Sequence, residues 1–270
     1  MDRPLRPRRH PALLPLAALL LAACRSNELP PSRWPPPDFA LEVREETVTS
    51  GQPRTVRSFR VWADGLCAFR SSDADLPGLP WTEPVFDTLA VYRLDPHSTR
   101  SLCRALEAAG LFREEARRLQ NEVAPGPDLV VRWTAMGSSG QTGLRTHDRV
   151  QVERAIEAVA GYLPPGVRFL GIEPDASHLS DVPTPRHSLQ GAVAATRDLA
   201  RARPTDFDLL LDLFVVAVAD RDWNTAREAL TEMQNGDGRA MLGDEADLID
   251  WKTEALPRLR ALLPARRGGE

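Results

Sequence analysis

The chain has 270 residues and a formal net charge of −4, with 38 acids against 34 basic residues, and Lys252 is its only lysine. The arginines are interleaved with acids along the whole length, so no basic stripe forms and nonspecific nucleic-acid binding is excluded. At 42% hydrophobic residues there is enough apolar material for a core spread over one or two domains.

The first element is an export leader, residues 1–23. Arg3, Arg6, Arg8 and Arg9 supply a basic start, and Ala12 to Ala23 form an apolar run interrupted only by Pro15. That run falls short of the roughly 20 residues a permanent membrane helix needs. Leu21-Ala22-Ala23-Cys24 resembles the lipobox of bacterial lipoproteins: Leu three places before the cysteine, small residues next, then the cysteine as acceptor. The resemblance covers the first 24 residues. It implies cleavage between Ala23 and Cys24, a diacylglycerol thioether on Cys24, and further acylation of the new amine by a palmitate-type chain. One acyl chain anchors marginally and two or three hold firmly, since each buried methylene adds roughly 0.8 kcal/mol. Arg25 and Ser26 follow the cysteine, with no Asp at the place that retains enteric-type lipoproteins in the inner membrane. The resemblance therefore implies outer-membrane anchoring facing the periplasm. Loss of the leader takes four arginines and one aspartate from a chain of −4, leaving a mature product of about −7.

Residues 24–38 are the lipidated cysteine and its tether. Arg25 to Asp38 reads RSNELPPSRWPPPD, with five prolines. In polyproline II geometry, at roughly 3.1 Å per residue, it holds a domain up to about 40 Å from a lipid surface.

The folded part begins at Phe39, and residues 39–171 read as an α+β sandwich domain. Phe39, Leu41 and Val43 alternate as a half-buried strand. A second strand, about Val56 to Trp62, turns through Ala63-Asp64-Gly65 into a third, Leu66 to Arg70. With Gly65 at a left-handed bulge position, Val61 faces Cys67 and Phe59 faces Phe69, which gives one wholly apolar side. Leu89 to Leu94 is a fourth strand after a loop from Ser71 to Pro84. Asp95 then caps a helix with Pro96 at its first position; Leu102, Ala105, Leu106 and Ala109 line one side, and Gly110-Leu111 ends it. Leu129 to Met136 and Gln141 to Thr146 form a hairpin around Gly137-Ser138-Ser139-Gly140. Asp148 with Gln151 caps a helix bearing Val152, Ile156, Val159 and Leu163 on one face, stopped by Pro164-Pro165. The order β-β-β-β-α-β-β-α predicts a two-layer sandwich of antiparallel sheet and helices.

Residues 172–187 are a polar connector, and residues 188–270 are helical in pattern: Ser188 to Arg203, Asp206 to Ala219, Asn224 to Gln234 and Asp244 to Leu263. Residues 206–234 resemble a single tetratricopeptide-type helical hairpin, with Ala217, Trp223, Ala226 and Leu230 at matching positions. Phe214 stands where that family has a small residue, and no second copy follows at a 34-residue period. A solenoid needs about three repeats, so one hairpin implies a small helical bundle without a peptide groove.

Chemistry-bearing residues are sparse. With Cys24 lipidated, Cys67 and Cys103 are the remaining cysteines, and outside the cytoplasm they read either as a disulfide or as two buried thiols. The Gly137 to Gly143 stretch fits neither a nucleophile elbow nor a phosphate loop and reads as a turn. His97, His147, His178 and His187 lack the spacing of a zinc site, although His178, Asp181 and His187 share the connector. Asp73 and Asp75 alternate like a calcium loop without its Gly and terminal Glu. No catalytic residue, metal or cofactor is expected. The sequence points to a lipid-anchored cell-envelope protein of binding or structural type, with the membrane and an envelope protein as partners. The alternative is an envelope hydrolase or ligand-processing enzyme whose site is assembled from distant residues.

Overall fold

Alternation of β-branched and aromatic residues with polar ones builds the sheet strand by strand. Its members are β1 (Ala40–Thr47), β2 (Thr55–Trp62), β3 (Leu66–Ser72), β4 (Thr88–Arg93), β5 (Asp128–Ala135), β6 (Ser138–Gly143) and β7 (Arg186–His187). In the computed structural model they form one antiparallel sheet in the order β6-β5-β1-β2-β3-β4-β7. The described residues are 34–47, 55–72, 85–112, 128–144, 149–172, 182–204, 206–235 and 256–264. The chain divides after Trp34, and residues 35–270 form the unit treated below.

The β2–β3 hairpin has the predicted register, Phe59 opposite Phe69 and Val61 opposite Cys67. Gly65 holds it there at φ +79°, where a Cβ would lie 2.5 Å from the Leu94 carbonyl oxygen and 2.8 Å from Thr99 Oγ1. The β5–β6 turn is tighter than the sequence suggested. Met136 and Gly137 alone make it, both at positive φ, and the Asp38 carboxylate accepts their two backbone N–H groups at 2.9 and 2.6 Å. Ser138 to Gly140 belong to β6 instead, and Gly140 leaves room for the Trp133 ring, which a Cβ would meet at 2.6 Å.

One face of the sheet carries Leu41, Val43, Phe59, Val61, Cys67, Phe69, Val131 and Trp133, all buried. Helices α1 (Pro96–Ala108) and α2 (Arg149–Ala160) pack together over it. Asp95 caps α1 by accepting from the N–H groups of His97 and Ser98, with Pro96 in the first turn as expected. The buried stripe of α1 is Thr99, Leu102, Cys103 and Leu106; Ala105, assigned to it from sequence, is exposed. The helix closes in a Schellman motif, with Gly110 N–H to Glu107 O at 2.8 Å and Leu111 N–H to Leu106 O at 3.1 Å. Gln151 does not complete a capping box: its side-chain amide donates to the Gly110 carbonyl at 2.6 Å, tying α2 to the end of α1. Asp148 lies outside the described residues.

The α+β arrangement is thus as the pattern predicts, and the C-terminal helices add a third layer. They are α3 (Leu189–Ala202), α4 (Phe207–Asp220), α5 (Trp223–Asn235) and α6 (Leu256–Ala261). Their own core includes Val193, Phe207, Phe214, Ala226, Leu230 and Leu259. Leu199 of α3 and Leu209 of α4 pack on the sheet's second face against Ala40, Trp62, Leu66 and Ala68. The connector contributes β7, which pairs with β4 just before Ser188 caps α3. Of the predicted last helix, residues 244–255 lie outside the described residues.

Candidate functional site

The second face of the sheet is charged at its centre. Glu42 on β1 stands opposite Arg60 on β2 and opposite Arg132 on β5. Its carboxylate is fully buried and accepts from Arg60 Nε at 2.8 Å, with Arg70 Nη2 at 3.5 Å and Arg132 Nη1 at 3.6 Å. From above, α4 lowers Asp208 and Asp212, four residues apart on one side of the helix. Asp208 reaches Arg60 at 3.8 Å, Asp212 pairs with Arg70, and Phe86 stacks on the Arg70 guanidinium at 4.4 Å. Burial by itself would raise the Glu42 carboxyl. The charges of Arg60, Arg70 and Arg132 and the Arg60 hydrogen bond outweigh it and hold the pKa at about 2. Burial, with the nearby charges of Asp206 and Glu42, raises that of Asp208 against the pull of Arg60 and Arg70. This network joins the helical layer to the sheet, and its charges are matched. It is a structural clamp.

The opposite face ends differently. At the edge of its apolar field the register aligns a polar row across five strands: Glu45, Arg57, Ser71, Thr88 and His187. Three members of that row, Arg57, Ser71 and Thr88, line a cleft of about 260 Å³, together with Phe69, Thr184, Pro185 and the segment Pro165-Gly166-Val167. That segment is a hydrogen-bonded turn. Val167 N–H donates to Pro164 O at 3.0 Å, closing a turn with Pro165 second and Gly166 third at φ +80°. Arg57 is exposed and makes no ion pair among the described residues. Ser71 is 1% exposed, and its Oγ has no hydrogen-bond partner among the described residues. The Thr88 hydroxyl donates weakly to Asp87 Oδ1 at 3.4 Å, and Glu45 accepts from the Leu170 N–H at 3.5 Å. A guanidinium, a buried hydroxyl and apolar walls suit the capture of a small polar headgroup with an apolar body.

The residues singled out from sequence do not meet there. Cys67 and Cys103 are buried free thiols on the helix-covered face, and burial first, then nearby carboxylates, pushes both pKa values up. Ala23, Cys24, His147, His178, Asp181, Asp73 and Asp75 lie outside the described residues. Among the described residues no group of three His, Cys, Asp or Glu side chains is placed to hold a metal, and no helix is long and apolar enough to cross a membrane. Arg57 and Ser71 were missed, yet the signal existed. They are the next inward-facing pair, two residues beyond Phe59 and Phe69 in the register already expected. The arrangement defines a three-layer α+β protein with an edge cleft. No protein-family model and no curated protein matches the chain.

Proposed function

We propose that this is a lipid-anchored cell-envelope protein of binding type. Acyl chains on Cys24 hold it to the outer membrane, facing the periplasm, and residues 25–38 display the folded part from the lipid surface. The observation that carries the proposal is Leu21-Ala22-Ala23-Cys24 at the end of a basic and apolar leader. The binding side draws support from the cleft at Arg57, whose described lining joins a guanidinium and hydroxyls to apolar walls and so suits capture of a ligand. Residues 206–234, the tetratricopeptide-like hairpin, act in this reading as a brace. Among the described residues the exposed large apolar side chains are Met136 and Val150, and neither belongs to the C-terminal helices.

Expression in a bacterial host with a clickable palmitate analogue tests the anchor. The wild type should carry label and sediment with membranes, and Cys24→Ala should lose the label and become soluble or stay as uncleaved precursor. An unlabelled wild type in the soluble fraction overturns the anchor. Crosslinking of the native protein followed by mass spectrometry then asks for a reproducible envelope protein partner.

A further inference from the structure

We infer that the cleft beside β2, β3 and β4 binds a small organic monocarboxylate, its headgroup on Arg57 and Ser71 and its apolar body against Phe69, Pro165, Val167 and Pro185. Three observations converge. Arg57 presents a guanidinium to the cleft without an ion-pair partner among the described residues, and a guanidinium matches a carboxylate by two parallel N–H···O bonds. Ser71 places a hydroxyl at the floor that is almost wholly out of water and lacks a hydrogen-bond partner among the described residues, a costly state that a bound acceptor relieves. The remaining walls are a phenyl ring, two prolines and a valine, which reward an apolar tail.

Charge and size narrow the class. Among the described residues Arg57 is the one cation in the lining, and Glu45 stands beside it in the register with its carboxylate turned to the Leu170 N–H. A phosphate dianion wants several cations and no neighbouring acid, whereas a monoanion is balanced by one guanidinium. A cleft of about 260 Å³ lies below the usual size for drug-sized ligands, so the ligand is a short acid rather than a long chain. The Pro165-Gly166 turn holds the wall in place before binding, which lowers the ordering cost.

The inference rests on the binding reading above and is independent of the lipid anchor, so failure of one is distinguishable from failure of the other. The test uses the full lipoprotein in detergent, titrated with hexanoate, hexanamide and inorganic phosphate by calorimetry. Hexanoate should bind saturably, and hexanamide and phosphate at least tenfold more weakly. Arg57→Gln, a change at an exposed site, should lose at least tenfold in hexanoate affinity while keeping the wild-type circular dichroism spectrum and melting temperature. Ser71→Ala should weaken hexanoate several-fold. The inference is overturned if folded wild type shows no saturable hexanoate binding, if Arg57→Gln binds it equally well, or if phosphate binds more tightly than hexanoate.

Discussion

Replacing Glu42 by Gln keeps the side chain's shape and removes one negative charge from the middle of the clamped face. Arg60 Nε still meets an amide oxygen, but Arg60 and Arg70, whose side chains are 6% and 3% exposed, lose a shared counter-charge. Removing one partner of a buried pair typically costs about 3–5 kcal/mol. The depressed carboxyl gives an independent figure: a folded pKa of about 2 against an ordinary 4.5 corresponds to roughly 3 kcal/mol. Asp208 and Asp212 remain to compensate, so the lower figure is expected at pH 7. Because the folded pKa is depressed, this stability is fully present above pH 4.5 and is lost as the pH falls toward 2. The gap between wild type and Glu42→Gln should therefore narrow by roughly 2 kcal/mol between pH 7 and pH 3. Urea unfolding followed by tryptophan fluorescence and circular dichroism at both pH values measures it. A loss below about 1 kcal/mol at pH 7, or a gap unchanged at pH 3, would refute the clamp.

Asp212→Asn should cost about 2–3 kcal/mol in the same assay because it strips a counter-charge from buried Arg70. Asp208→Asn, whose ion pair is long and whose carboxyl is already raised by burial and like charges, should stay within about 1 kcal/mol. Equal effects of the two would contradict the geometry. Gly65→Ala, forced to positive φ and into the Leu94 carbonyl, should lose about 2–4 kcal/mol by thermal melting; an unchanged melting temperature would mean the hairpin turn is wrong. Cys67 and Cys103 should react with a thiol reagent only as fast as the protein unfolds, and both should react once it is unfolded. Stoichiometric labelling of the native protein within minutes would contradict their burial, and no labelling after unfolding would reveal a disulfide.

Local chemistry carried most of the fold into view. The β2–β3 register followed from one glycine and two facing aromatics, because a one-residue slip would have turned Phe59 and Phe69 to opposite sides. The cap at Asp95 and the stop at Gly110 were legible for the same reason, since each satisfies backbone groups within a few residues. The sequence was silent where the partner is distant. Asp38 closing the Met136-Gly137 turn and Gln151 bonding to Gly110 span 98 and 41 residues, and neither leaves a pattern that a local reading detects.

The third layer shows why the charged clamp stayed hidden. Glu42, Arg60, Arg70 and Arg132 fall at outward positions of alternating strands, and polar alternation looks the same whether a face meets water or a matched layer of charge. The discriminating signal lay 140 residues or so further on, in helix α4. Its sequence, FDLLLDLFVVAVAD, is apolar nearly all round, so it needs covering on more than one side, and a helix of a small free bundle does not. The two acids that break its apolar surface early, Asp208 and Asp212, are spaced to face one direction. An apolar helix with a pair of inward acids requires a surface that is apolar and cationic together, and the only such surface among the described strands is the one bearing Leu66, Ala68, Arg60 and Arg70. Docking on that face was thus implied by charge matching between segments, which neither segment's own periodicity could express.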